Sequence, residues 1–248
     1  MLKYSKANTK LQKLNKVRAL KKYLTGKRKV YSMDIRAGHT CPGAKDCFSK
    51  VVDGKIVDGK HTEFRCYAAS LEALYTNTYN RHNENEDALK AEKSVKRRVA
   101  LMQAALPKNA GVVRQHSSGD FFQQSYFDAW LELARQNPTI LFYAYTKMLP
   151  FWVKRLDNIP ENVILTASRG GKWDYLIDAH RLREVIVVYS RDEAQALGLE
   201  IDEDDSHASD PSKRDQSFCL ILHGVQPGGT RAAAALQALK GREKSRKG

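Results

Sequence analysis

The chain has 248 residues, 42% of them apolar, and a formal charge of +14 at neutral pH. That apolar content can bury a core, and no run approaches the ~20 apolar residues that cross a bilayer, so a membrane-spanning helix is excluded. The basicity sits at the ends: residues 1–29 carry eleven basic side chains and no acidic one, the segment from Lys240 adds a net +4, and residues 30–239 are left at about −1.

In the N-terminal segment Leu11, Leu14, Val17, Leu20 and Leu24 recur at steps of three and four, with Asn8 or Thr9 as an N-cap and Gly26 as a stop. This predicts a basic amphipathic helix in an arm spanning residues 1–29. Its leucine stripe packs on the body in one reading; in the other the lysine face binds nucleic acid or another anionic surface. Removal of residues 1–28 is expected to leave the rest folded.

The body, residues 30–227, alternates short apolar runs with amphipathic ones. Strands are predicted at Lys29–Asp34, Gly111–His116, Ile140–Thr146, Asn162–Ser168, Glu184–Ser190 and Phe218–His223. Helices are predicted at Tyr67–Tyr79, Ala88–Leu106, Gln123–Gln136, Pro150–Leu156, Trp173–Leu182, Arg191–Leu197 and Thr230–Leu239, the last opening a C-terminal segment, 228–248, with a basic tail. Strands followed by helices pair in parallel, because parallel neighbours need crossover connections. Two α/β architectures meet this order: an open barrel of six βα units and a doubly wound sheet.

In either one, ligands bind at the carboxyl ends of the strands. Those ends carry a cysteine-bearing loop, then His116-Ser117-Ser118-Gly119-Asp120, Thr146-Lys147, Ser168-Arg169-Gly170-Gly171, Tyr189-Ser190 and His223-Gly224. Cys41, Cys47 and Cys66 fall in the loop-like stretch after the first strand, and no hydrophobic signal segment precedes them, which predicts a reducing, cytoplasmic setting. Clustered thiols there suit a soft metal or a cluster. Five residues separate Cys41 from Cys47 and eighteen separate Cys47 from Cys66. Structural zinc prefers closer pairs, although His39 or His61 could complete a tetrahedron, whereas iron–sulfur sites tolerate irregular spacing. Simple packing of reduced cysteines is the remaining alternative. Cys66 opens a helix, which favours its thiolate. Cys219 begins the sixth strand and is expected at the opposite rim, as a structural residue.

Ser168 and Arg169, with the two glycines, could meet a phosphate or carboxylate, or could simply make a tight βα turn. His116 and His223 are candidate bases or structural residues, and Lys147 is a candidate partner for a substrate carboxylate. The run from Asp202 to His207 reads as a solvated acidic turn in a disordered connection, and Tyr126, Phe127 and Trp130 read as core.

Several phrases carry a resemblance: Gly38-His39-Thr40-Cys41-Pro42-Gly43-Ala44, Phe64-Arg65-Cys66-Tyr67-Ala68, Ser118-Gly119-Asp120-Phe121-Phe122, Phe142-Tyr143-Ala144-Tyr145-Thr146-Lys147 and Thr166-Ala167-Ser168-Arg169-Gly170-Gly171. They resemble the phage family called gene product 88, from about Ser32 to Gly228; its name carries almost no function. More distantly, three cysteines after the first strand and the Cys-Tyr-Ala ending resemble radical S-adenosylmethionine (SAM) enzymes. That likeness implies a partial (β/α)6 barrel with basic N- and C-terminal extensions. It also implies a [4Fe-4S] cluster on Cys41, Cys47 and Cys66 with one iron open to SAM. Gly119-Asp120 would then resemble the element that holds the methionine amine, with Ser118 beside it as a further cofactor-binding residue. The usual spacing of three and then two residues between those enzymes' cysteines is absent here. Two functions are therefore expected: an iron–sulfur protein of the host cytoplasm, radical-SAM-like, with a small ligand on the rim and a substrate that the sequence does not name, or a nucleic-acid-binding phage protein with a structural cluster or zinc.

Overall fold

The alternation of apolar runs is realised as a mostly parallel sheet in a computed structural model, which describes residues 2–245. Arg246 and Lys247 of the basic C-terminal tail lie outside the described residues, as do the side chains of Arg242, Glu243 and Lys244. The strands are β1 (Ser5–Lys6), β2 (Lys29–Met33), β3 (Ser49–Val52), β4 (Lys55–Asp58), β5 (Ala110–Gln115), β6 (Leu141–Thr146), β7 (Val163–Ser168), β8 (Glu184–Val188) and β9 (Phe218–Ile221). Seven join in the order β1-β2-β5-β6-β7-β8-β9, with β1 antiparallel to β2 and every other pair parallel, while β3 and β4 form a separate hairpin. The parallel strands follow chain order without reversal. A doubly wound sheet reverses at a switch point, so that alternative is set aside.

The helices are α1 (Thr9–Gln12), α2 (Tyr67–Leu74), α3 (Thr76–Ala91), α4 (Val95–Ala105), α5 (Gln124–Gln136), α6 (Leu149–Val153), α7 (Tyr175–His180), α8 (Arg191–Ala196), α9 (Ser206–Ser209) and α10 (Arg231–Ser245). No helix among the described residues is long and apolar enough to cross a membrane. The predicted helix from Tyr67 to Tyr79 breaks at Tyr75, and the one from Ala88 to Leu106 breaks at Glu92–Ser94, where the Ser94 hydroxyl caps α4 by accepting from Arg97 N at 3.2 Å.

Both faces of the sheet are covered, so β5 is buried along its whole length, as parallel strands between two layers are. Alternate side chains point to opposite faces. On the outer face Met33, Val113, Phe142 and Leu165 pack with Met102 of α4, Phe127 and Trp130 of α5, Leu149 of α6 and Ile177 of α7. On the inner face Val30, Val112, Leu141, Tyr143, Ile164, Val185 and Phe218 pack with Leu11, Leu14 and Leu20 of the N-terminal segment and Ala208 of α9.

The N-terminal segment is therefore built into the sheet rather than appended to it. Its ordered form also differs from one amphipathic helix. Asn8 caps α1 as expected, its side chain accepting from Leu11 N at 2.9 Å, but α1 ends after one turn and gives way to two 3₁₀ turns, Lys13–Lys16 and Arg18–Leu20, separated by an extended Val17. The leucines seated in the inner face outweigh the weak preference of so short a segment for continuous helix. β1 then pairs with β2 and fixes the chain start to the sheet edge.

The acidic run from Asp202 is likewise not a solvated turn throughout: Asp202, Asp205 and His207 are buried, and Glu203 is exposed. Asp205 adopts φ +64°, a left-handed conformation that Asp tolerates better than most residues. Its carboxylate lies 2.8 Å from Lys10 Nζ and 2.6 Å from Arg114 Nη1 and accepts from the Tyr143 hydroxyl at 3.0 Å. Burial opposes its ionisation, but Arg114 and Lys10 hold its carboxyl below the usual range.

Two outcomes test this arrangement. Deleting residues 1–24 should unfold or aggregate the protein, since each lost core leucine alone is worth about 2–5 kcal/mol. Asp205→Asn should lower stability by about 3–5 kcal/mol at neutral pH by stranding the buried Arg114 guanidinium and taking the partner from the half-buried Lys10. Because the folded-state pKa is depressed, the wild-type contribution is full above the ordinary value of 3.8 and is lost as pH falls below it. In urea melts the stability gap between wild type and variant should therefore be full at pH 7 and narrower, by about 1 kcal/mol, at pH 3.

Candidate functional site

Cys41, Cys47 and Cys66 reach one place by three local devices. The Thr40 hydroxyl donates to Arg36 O at 2.7 Å and turns the chain after β2. The loop from Cys41 to Cys47 is then fastened to the turn after β7 through backbone bonds from Lys172 N to Gly43 O (2.9 Å) and Asp46 N to Gly170 O (3.0 Å). Gly43 runs so close to β6 that an added Cβ would stand 2.5 Å from Lys147 O, so only glycine fits. Next the β3–β4 hairpin, closed by Asp53 and Gly54 at φ +49° and +74°, takes the chain out and returns it. Glu63 N and Phe64 N donate back to Asp46 O, and Cys66 N donates to Ser49 Oγ at 3.2 Å. Eighteen intervening residues thus bring Cys66 back beside Cys47.

All three cysteines are free thiols and line a cavity of about 180 Å³ at the carboxyl ends of the parallel strands. Gly38 N donates to Cys41 Sγ at 3.3 Å, and the Ala68 and Ala69 amides at the start of α2 point at Cys66 Sγ. Burial raises all three thiol pKa values, pushing Cys66 up to about 12 despite those amides; the helix start does not make it a thiolate. Lys147 opposes the rise at Cys47 without cancelling it. Cys219 packs instead with Val188 and Ala194 in an outer-face cluster.

The other predicted residues divide. Ser118, Gly119, Asp120 and Ser168 line the cavity, whereas Arg169 does not. Its guanidinium pairs with Glu184 and Asp178, so it fastens β7 to β8 and α7. Asp120 stands four residues before α5, which begins at Gln124. Its carboxylate accepts from Thr146 Oγ1 (2.7 Å), Lys147 N (2.8 Å) and Phe121 N (2.7 Å), and burial raises its pKa to about 6. Gly119 stands at φ +87°, where an added Cβ would meet Ile35 Cγ1 at 2.4 Å. Lys147 spends its ammonium on Ser168 O, Ser168 Oγ and Arg169 O at 2.7–2.9 Å. His116 lines the cavity, with Nε2 2.8 Å from the Tyr126 hydroxyl, and burial drives its pKa to about 3, so it is neutral. His223 lies 4.8 Å from the Tyr67 ring, and burial lowers its pKa too. Arg114, Ser117 and Tyr145 also line the cavity and were not singled out in the sequence. Inner-face parity would have found Arg114 and Tyr145, each standing at an even step from Val112 or Tyr143.

No curated protein and no solved structure matches the chain. A family model described as Gene product 88 matches residues 2–243, which takes in the sheet, the cysteine loop and the cavity together. The chain belongs to the phage gene product 88 family.

Proposed function

We propose that the protein is an iron–sulfur protein whose cluster is held by Cys41, Cys47 and Cys66, beside a cavity that takes a small ligand. The observation that carries this reading is the meeting of three thiols, two from one loop and one from a helix start, in one cavity at the strand ends. The donor set fits the group. Three soft ligands face one space, Gly38 and the start of α2 supply amides to the sulfurs, and such hydrogen bonds tune cluster potentials. Among the described residues no three His, Cys, Asp or Glu side chains stand close enough to hold a single ion. A cluster's cysteines each bind a different iron, so they need not converge on one point. Buried thiols with raised pKa values also need a strongly charged partner to ionise.

A bound cluster would supply one-electron chemistry. The chain's own residues would seat and screen it: Asp120 and Lys147 tie the second, third and fourth parallel strand ends together, and Phe64 and Leu222 help wall the site. The unreversed strand order and three-cysteine set support the narrower reading of a partial barrel of the radical-SAM kind. Ser118, Gly119 and Asp120 would lie beside its SAM. Asp120 would serve there as a brace rather than a free acceptor, because its carboxylate already holds three donors.

Anaerobically purified or reconstituted protein should carry about four irons and matching sulfide per chain. Cys41→Ser, Cys47→Ser and Cys66→Ser should each lose most of the iron, and Cys219→Ser should keep it. Colourless protein with one zinc, or iron loss in Cys219→Ser, would sink the three-cysteine cluster. The narrower reading is checked by electron paramagnetic resonance of the reduced, fully loaded protein. Millimolar SAM should change the signal; an unchanged spectrum would remove SAM and leave the cluster standing.

A second reading has its own observation. Nine of the eleven basic side chains in residues 1–29 are exposed while the leucines point inward, which leaves a cationic face on the folded body. If that face binds nucleic acid, the logarithm of the affinity should fall linearly with the logarithm of salt concentration. Lys13→Glu, Lys16→Glu and Lys21→Glu together should abolish binding without unfolding the chain. Binding that ignores salt and survives the triple substitution would exclude the face.

A further inference from the structure

The inner face changes character along its strands. Near the amino ends it is apolar, with Val112 and Leu141 against the N-terminal leucines. One step higher, at the cavity, it divides in two. The β5–β6 side presents Arg114, Ser117 and Tyr145, and the β8–β9 side presents Val187, Leu220 and Leu222.

The polar wall is short of acceptors. Arg114 spends Nη1 on Asp205 and lies over the Tyr145 ring, 5.2 Å from its centroid. Its Nε–H is buried without a hydrogen-bond partner, as are the Tyr145 and Ser117 hydroxyls. Unpaired buried donors are destabilising and uncommon, and the three residues that carry these all line one cavity, as does His116, whose Nδ1 is also unpartnered. Charge points the same way. Asp205 is one carboxylate between two cations, Lys10 and Arg114. The Lys147 ammonium rests on neutral oxygens. The cavity's own carboxylate, Asp120, is turned onto backbone amides and the Thr146 hydroxyl. The volume, about 180 Å³, is below the ~300 Å³ at which drug-sized pockets begin, so the space suits a small molecule or the head of a larger one.

We propose that this floor binds a small organic anion: Arg114 Nε, Tyr145 Oη and Ser117 Oγ hold its carboxylate or phosphate head, and Val187, Leu220 and Leu222 meet its carbon skeleton. The proposal rests on reading the cavity as a ligand site, and it is independent of what the cysteines carry. The Asp205–Lys10 pair beneath the floor holds the guanidinium in place, so that its position is set before the ligand arrives.

Calorimetric titration of the full-length protein with acetate, butyrate, inorganic phosphate and butyl phosphate tests it, with iron content measured on the same sample. Butyrate should bind more tightly than acetate, by about fourfold per added methylene. Tighter binding of butyl phosphate than butyrate would assign the head as phosphate, and the reverse as carboxylate. Tyr145→Phe should weaken binding of the preferred butyl probe about tenfold while leaving the melting temperature equal or higher, because the hydroxyl it removes has no partner in the fold. Arg114→Lys keeps a cation for Asp205 but loses Nε–H, and should weaken binding similarly. The proposal is overturned if no probe binds, or if Tyr145→Phe and Ser117→Ala both bind as the wild type does. Either result leaves the cysteine reading to be judged on iron content alone.

Discussion

The buried carboxylate of Asp205 is the contact on which the inner half of this molecule depends. It joins Lys10 of the N-terminal segment, Arg114 of β5 and Tyr143 of β6 from a connection more than sixty residues further along the chain. In a poorly solvated interior each of these charges is costly by itself, and the set is stable because every member has a partner. The same pairing draws the N-terminal leucines and α9 onto the sheet, which closes the inner face below the cavity. A charge network thus decides where the apolar core ends and where the site begins.

Above that floor the carboxyl ends of β5, β6 and β7 are locked by two side chains. Asp120 reaches across to the end of β6, and Lys147 reaches from β6 to the end of β7. The cysteine loop is then laid on this platform by its backbone bonds to Gly170 and Lys172. The glycines at 43, 170 and 171 serve close backbone approach, which gives the Ser168-Arg169-Gly170-Gly171 turn a positioning duty for the thiols. Arg169 faces away from the cavity and strengthens that turn from outside. The thiols therefore sit on a rigid base, while the wall opposite Arg114 is made of aliphatic side chains.

Much of this was legible in the chain. All six parallel strands lie within one or two residues of their predicted bounds at nearly every end, because strands buried on both faces are written as unbroken apolar runs. The helix Gln124–Gln136 was legible for the matching reason, an apolar stripe at helical period. The β3–β4 hairpin was readable and missed: Asp53-Gly54 between apolar residues is a strong turn signal. Residues 80–87 of α3 were not readable by hydrophobic period. Their buried face is polar, with His82 on Glu72, Asn85 on Asp34 O and Glu86 on Arg36. The run from Asp202 misled for the same reason, since its charges are compensated by residues distant in sequence.

The sequence by itself determined the parallel α/β layer, its succession of βα units along the chain, and the presence of three thiols on one rim. These follow from local periodicity and from the geometry of crossover connections, which need no knowledge of distant contacts. Only the tertiary structure decided the rest. It showed that the leucines of the basic N-terminal segment are core, that Arg169 faces outward while Arg114 and Tyr145 face the cavity, and that eighteen residues fold out and back between Cys47 and Cys66. Each of these rests on a pairing between residues far apart in the chain, such as Lys10 with Asp205 or Gly43 with Lys172. The energy of such a pairing depends on burial that neither partner's neighbours in sequence can reveal.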